Sequence, residues 1–408
     1  MTLAHLLKID NLLLQLEEGE NETVRQHAAG MLDFLSLLKL LSTARMVALL
    51  CISILQLFIA RARARTRFYL IRSDIVPTRH SAWAWLLLHG SDSAFMVCMA
   101  VDRATFGILL RAFAPFFKAR HERRGRPSLL GPAGALGLAL HHVSSTTPQK
   151  ALCLIFGVTP STLSATLTRA LSSLALALAT LPEARISWPT AAQKAGFSAM
   201  VTGKFSMLRN VWSFVDGTLI KVQCFSDEVL QNAYYSGRKK MVCINNTLVW
   251  TPDGCVCYAT VNFPGHAHDL TVSGALIRLL LSETGLHRQF AMLGDTGFQV
   301  PRLARLSALI LTPLKKGQVD LTDKNKGRAQ LRVHNVIVQA RQAAEWGNGT
   351  LKGTFRRLLL PMSVNHANRQ QLLSICLKLN NFRARVLGEN QIATVYRGDF
   401  GNGGLKKA

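Results

Sequence analysis

The chain has 408 residues, 49% of them hydrophobic, which is enough for two or three domains with packed cores and excludes a chain disordered throughout. Lys and Arg number 48 against 23 Asp and Glu, a net charge of +25. An excess of this size points to a polyanionic partner, nucleic acid before an anionic membrane surface, with a merely basic protein as the bland alternative.

In chain order, residues 1–45 carry an acidic patch (Glu17, Glu18, Glu20, Glu22) between leucine-rich stretches. Their spacing predicts one or two amphipathic helices, without assignable chemistry. Met46 to Ala60, MVALLCISILQLFIA, is 15 largely apolar residues, short of the roughly 20 that a spanning helix needs. A core helix is expected there, while the flanking Arg61, Arg63 and Arg65 keep a membrane anchor through 46–60 open as the less favoured reading. Residues 1–70 therefore read as an N-terminal helical region of unassigned role.

Residues 71–195 read as a second, helical region. Helical spacing covers 80–117, and KARHERRGRPS at 118–128 is a basic linker, either a solvated loop or an arm for phosphates. Over about 129–183 the pattern predicts a helix near 132–144, a short one from about Thr147 to Phe156, a Gly157–Pro160 turn, and a longer helix starting near Ser161. Thr159 or Ser161 can cap that last helix and Pro160 suits its first turn. This is a helix-turn-helix-like arrangement, with an ordinary helical hairpin as the alternative. It would offer Ser161, Thr162, Ser164 and Thr166 to DNA, and Arg169 to phosphate.

The periodicity changes at about 205–360. Val211–Val215 and Leu219–Gln223 predict a strand or strand pair. Met241–Trp250 and Cys255–Phe263 flank the turn Thr251-Pro252-Asp253-Gly254 as a hairpin. A helix is expected over 269–281, short strands over 290–294 and 307–312, a polar loop over 314–326 with Asp320 and Asp323, and a helix over 327–346. The order strand-strand-strand-helix-strand-strand-helix is that of an α/β domain with a mixed sheet, by analogy RNase H-like. A C-terminal helix and flexible tail are expected over 361–408.

The eight cysteines contain no CxxC pair and nothing with zinc-finger spacing. No signal-peptide pattern opens the chain, so they are expected to be reduced, buried thiols of an intracellular protein.

In a chain this poor in acids, their placement matters. Asp216 and Asp295 each end an apolar β-type run and are followed by small residues, and Glu345 lies on the long predicted helix. Asp-Gly is also a common turn dipeptide. Three carboxylates converging from two strands and a helix would instead suit two Mg²⁺ or Mn²⁺ ions, which neutralise charge during phosphodiester hydrolysis without a His, Cys or Ser nucleophile.

Five stretches appear in order: FVDGTLI (214–220), YYSGRKK (234–240), FPGHAHD (263–269), LGDTGF (293–298) and RxxxEWGNGxLKGxF (341–355). Together they resemble the PIF/Harbinger class of DDE transposases and the nucleases domesticated from them. The resemblance covers about 145 residues, with a weaker likeness over 80–183. It implies a metal-dependent DNA endonuclease or transposase of the nucleus, with Asp216, Asp295 and Glu345 as catalytic and metal-holding triad and Mg²⁺ or Mn²⁺ as cofactor. It also implies a possible separate DNA-binding partner protein and homo-oligomers on DNA. Asp269 is either an outer metal contact or a helix N-cap. His266 and His268 beside it are not required by an oxygen-rich site. Arg238, Lys239 and Lys240 are either a solvated turn or a contact to DNA, and Lys352 is expected on the DNA backbone. Arg341 can pair with Glu345 across one helical turn. The sequence departs from the class at Trp346, where many members have Arg, and at Phe298, where Tyr is usual. Gly347 and Gly349 are expected to kink or end the helix. A domesticated DNA-binding or scaffold protein without cleavage is the alternative function.

Overall fold

The computed structural model describes residues 43–66, 70–119, 128–299, 304–315, 323–388 and 390–397, with a few isolated positions besides. The acidic patch at 17–22, most of the basic linker, Asp320 and the tail from 398 lie outside the described residues. Elements are numbered among those that are described.

The chain divides into two compact units, Met1–Val76 and Pro77–Ala408. The first holds α1 (Thr43–Thr66), which runs on through the arginines. Leu55 and Phe58 are 60% and 68% exposed, whereas the expected core helix would bury them.

The second unit begins with helices α2 (Ala82–His89), α3 (Asp92–Met99), α4 (Arg103–Ala119), α5 (Gly131–Ser144), α6 (Gln149–Phe156) and α7 (Pro160–Thr180). Ser81 and Ser91 cap α2 and α3 through backbone N–H groups of Ala84 and Ala94. Trp83 gathers Phe95, Phe106 and Phe156 around it. Gly157, at φ +67°, makes the left-handed turn between α6 and α7. Thr159 is the N-cap of α7 and Pro160 its first residue, but the Thr159 hydroxyl meets that of Thr162 rather than a backbone N–H. Helix α7 is long and apolar enough to cross a membrane, yet Leu163, Leu167, Leu174 and Leu178 are buried in its packing with α4 and α5.

After α8 (Ala191–Lys204) comes a mixed sheet of β1 (Val211–Lys221), β2 (Tyr235–Ser236), β3 (Met241–Trp250), β4 (Val256–Pro264), β5 (Ala291–Leu293) and β6 (Ile310–Leu311). β3 pairs antiparallel with β1 on one side and with β2 and β4 on the other; β1, β5 and β6 run parallel. Helix α9 (Glu228–Tyr234) precedes β2, and α10 (Asp269–Val272), α11 (Gly274–Ser282) and α12 (Ala304–Leu309) lie along the β4–β6 part of the chain. The long α13 (Lys324–Thr354), then α14 (His366–Val386) and α15 (Gln391–Tyr396), complete the unit.

β1 is central, which explains its near-continuous apolar run: Val211 to Val215 are all buried. A core on one side joins Trp212, Val215 and Val249 to Leu276 and Leu280 of α11. On the other side the ring of Phe214 lies 5.2 Å from that of Tyr396 of α15, tilted against it. An ion pair ties α8 to the end of α11: the buried Lys194 ammonium bonds Glu283 and lies 4.7 Å from the ring centres of both Trp188 and Trp212. Trp188 Nε1 also donates to Glu283, at 2.7 Å.

Of the strand or strand pair expected over 211–215 and 219–223, the single strand forms, because the ladder to β3 continues from Phe214↔Trp250 to Lys221↔Cys243. Several other expectations need correction. The first half of the strand expected over 307–312 belongs to α12, leaving only Ile310 and Leu311 in the sheet. The helix at 269–281 breaks at Ser273 into α10 and α11. Helix α13 runs through both glycines to Thr354. Cys51 and Cys224 are exposed, unlike the buried thiols expected; Cys153, Cys243, Cys255, Cys257 and Cys376 are buried.

Candidate functional site

The site lies where the parallel half of the sheet stops. β5 ends at Leu293, opposite Phe214 of β1. Two residues further along both strands stand Asp216 and Asp295. Asp216 is therefore a mid-strand residue, not the strand end expected: β1 continues past it on the β3 side, where it faces Leu248. Asp295 does lie just past the end of its strand, after Gly294. It starts a short 3₁₀ turn, Thr296–Phe298, and accepts from the Thr296 backbone N–H at 2.7 Å.

Helix α13 brings in the third acid. Glu345 is 54% exposed and binds Arg341 one turn earlier at 2.6 Å, the pairing their spacing predicts. The approach of this helix to the sheet depends on Gly347. A Cβ there would meet the Trp250 ring at 2.5 Å. The residue expected to weaken the helix is thus the one that lets it pack on β3. For Gly349, with open space around it, the structure offers no such reason.

Asp216 shows what this juxtaposition does. Burial pushes its carboxyl up from 3.8 to about 6; the Arg341 charge and the Gly217 backbone N–H pull it down, and Asp295 and Glu345 push it up again. The two other acids of the expected triad are thus near enough to act on Asp216 electrostatically. Asn348 Nδ2 donates to Asp216 Oδ2 at 2.9 Å.

Asp269 joins this edge in a way the sequence did not suggest. It is the first residue of α10, whose N-cap is His268, and it makes no capping bond. Its Oδ1 accepts from Asn245 Nδ2 at 2.9 Å. A Cβ on Gly217 would lie 3.0 Å from Asp269 Oδ1, and one on Gly297 would lie 3.2 Å from Oδ2. The glycines that follow Asp216 and Asp295 in the chain thus make room for the Asp269 carboxylate. His266 and His268 are exposed.

The expected DNA contacts divide. Arg238, Lys239 and Lys240 are all exposed on the turn joining β2 to β3, with Lys240 in the left-handed region at φ +51°. Ser161 is exposed and Thr162 half-buried at the start of α7. Thr166 is buried at 1% exposure, because it falls on the packed face of α7, and so cannot meet DNA as expected. Arg169 lies 5.9 Å over the ring of Phe117. Lys352 turns inward: its Nζ donates to the Leu219 carbonyl of β1 at 3.0 Å, so it acts on the strand that carries Asp216 rather than standing out toward a phosphate. Burial lowers its pKa and the charge of Asp216 opposes that shift.

Residues 215–381 match the family model for DDE superfamily endonucleases. No curated protein and no solved structure gives a match. The matched DDE domain takes in Asp216, Asp269, Asp295 and Glu345, and most of the sheet and α14 with them. Endonucleases of this superfamily generally use divalent metals. Among the described residues, no group of three His, Cys, Asp or Glu side chains closes on a metal position. Glu345 is engaged by Arg341 instead. The donor chemistry nonetheless fits a hard divalent cation: the acids supply carboxylate oxygens, and Asn245 and Asn348 hold those of Asp269 and Asp216.

Asn245 and Asn348, which hold Asp269 and Asp216, were missed by sequence reasoning. Asn348 had a signal: it stands three residues after Glu345 and four before Lys352, on one helix face. Asn245 had only its place in an apolar strand, where a buried amide needs partners.

Proposed function

We propose that the chain is a metal-dependent DNA endonuclease or transposase of the PIF/Harbinger type, with Asp216, Asp295 and Glu345 as its triad. One observation carries the reading. Two adjacent parallel strands and a helix bring three acids near enough that two of them disturb the ionisation of the third. A buried carboxyl held up by burial, with two further acids adding to the shift, is the arrangement expected where cations bind. The antiparallel β4–β3–β1 ladder followed by parallel β1–β5–β6 supports an RNase H-like reading of the domain.

Asp216 and Asp295 would hold the divalent ions, Mg²⁺ or Mn²⁺, with Glu345 once released from Arg341 and with Asp269 as a further acid. Bound there, the ions would supply a nucleophile at neutral pH and charge neutralisation at the scissile phosphate. The chain's own contribution is placement. β1 and β5 fix Asp216 and Asp295 at one level, and Gly217 and Gly297 admit Asp269 between them. Arg341, freed from Glu345, would present its guanidinium to phosphate, which its planar fork suits. The exposed Arg238, Lys239 and Lys240, together with Ser161 and Thr162 at the N-terminal end of α7 and Arg169 further along it, would hold flanking DNA. The net charge of +25 adds sequence-independent affinity. The domain divisions near 70, 200 and 360, a nuclear location, a separate DNA-binding partner and assembly on DNA belong to the same proposal.

Nicking of supercoiled plasmid with Mg²⁺ or Mn²⁺ tests it. Wild-type protein is expected to nick, and Asp295→Asn to lose at least a hundredfold, on the order of the loss for a transition-state group. Unchanged nicking by Asp295→Asn removes the catalytic assignment. Tight binding of DNA without nicking by the wild type would favour the domesticated binding protein.

A further inference from the structure

Helix α13 lays a polar stripe along the site: Arg341, Glu345, Asn348 and Lys352, spaced four, three and four residues apart and so on one face. Arg341 binds Glu345 and Lys352 binds β1, which leaves Asn348 as the member whose purpose is unstated. It is 9% exposed and has two partners of opposite character. Trp250 Nε1 donates to its Oδ1 at 3.2 Å, and its Nδ2 donates to Asp216 Oδ2 at 2.9 Å.

This chain of donors can run in one direction only. An indole N–H donates and never accepts. The amide oxygen of Asn348 must therefore face Trp250, and its NH₂ must face Asp216. The orientation of a side-chain amide, ambiguous in most settings, is here fixed by chemistry. Trp250 is in turn immobile: it is fully buried and packed against the backbone of Gly347. A rigid ring thus orients an amide, and the amide orients a carboxylate that lies in the middle of a strand.

We propose that Asn348 is a positioning residue, which, oriented by Trp250, fixes the direction in which Asp216 presents its carboxylate to a divalent cation. The inference rests on the metal reading of Asp216 given above. Outer partners of metal-binding carboxylates contribute about 10–100-fold in metal affinity. The Trp250→Asn348→Asp216 relay is such a partner built from the helix and the sheet together.

Calorimetric titration of the full chain with Mn²⁺, in the absence of DNA, tests the proposal without relying on activity. Asn348→Ala is expected to weaken Mn²⁺ binding by about 10–100-fold. Trp250→Phe, which keeps a ring in the slot but removes the donor, is expected to weaken it less, because Asn348 remains but is free to flip. Asp216→Asn is expected to abolish the site. Thermal unfolding of each variant is followed alongside. An Asn348 that only supported the fold would lower the melting temperature and leave the affinity unchanged, and that result overturns the proposal. If Asn348→Ala does not fold, wild-type affinity in Trp250→Phe overturns it equally. If Asp216→Asn also binds Mn²⁺ like the wild type, the metal reading itself has failed. Loss in Asp216→Asn with no change in either relay variant leaves the metal reading standing and removes the relay.

Discussion

Replacing Asp216 by Asn should make the protein more stable at neutral pH. The Asp216 carboxyl is pushed up from 3.8 to about 6 by burial, with Asp295 and Glu345 adding to it. Because the folded-state value lies above the unfolded one, the contribution of this group to stability is full below pH 3.8 and is lost as pH rises through 6. A shift of about two units at roughly 1.4 kcal/mol each means that ionised Asp216 costs the native state about 3 kcal/mol above that range. The substituted amide would carry no charge yet still offer Asn348 Nδ2 an oxygen to donate to, so most of the gain, about 2–3 kcal/mol, should survive. The assay is denaturant unfolding of both proteins in EDTA from pH 4 to 8. The curves are expected to meet near pH 4 and to separate in favour of the variant by pH 7.5. Adding Mn²⁺ should then stabilise the wild type alone, by mass action on the folded state. A variant less stable than wild type at pH 7.5, or a difference that does not change between pH 4 and 7, would refute the electrostatic argument.

Other consequences follow from particular contacts. Gly347→Ala should destabilise by about 1–3 kcal/mol, since its Cβ must displace Trp250, whereas Gly349→Ala, in open space on the same helix, should stabilise by up to about 1 kcal/mol; urea midpoints of the two distinguish packing from helix propensity. Lys194→Met leaves Glu283 charged in a buried position and should cost about 3–5 kcal/mol, much of it regained when Glu283→Gln is added; equal stability of the single and double variants would contradict this. Replacing Arg238, Lys239 and Lys240 with Ala should lower affinity for DNA of any sequence and flatten its salt dependence by up to about 0.9 in log–log slope per lost phosphate contact, as read by fluorescence anisotropy across a salt series.

What the sequence disclosed depended on whether the signal was local. The helices from 82 to 180 and the β3–β4 hairpin are close to expectation because periodicity, capping residues and the Thr251–Gly254 turn are local. The continuation of β1 through Asp216 was hidden because the Asp-Gly pair looks like a turn, and only the ladder to β3 overrides it. The length of α13 was hidden for the opposite reason. Gly347 lowers helix propensity, and its value emerges only against Trp250, nearly a hundred residues earlier in the chain. The four acids were visible as residue types in a chain with few of them. That Asp269 lies against Gly217 and Gly297, rather than capping α10, depends on a helix start, a strand and a 3₁₀ turn meeting and leaves no mark in spacing. The inward turn of Lys352 is likewise a tertiary event: its helical face was predictable, but the strand waiting there was not.

The central claim is that Asp216 and Asp295 hold a divalent cation together. Anomalous diffraction from crystals soaked in Mn²⁺ tests it most directly. The account predicts a peak bonded to carboxylate oxygens of both residues at roughly 2.0–2.6 Å, the range of hard cations on oxygen. Soaked crystals with no peak at these acids, or with Mn²⁺ held elsewhere while Asp216 stays bound only to Asn348, would contradict it.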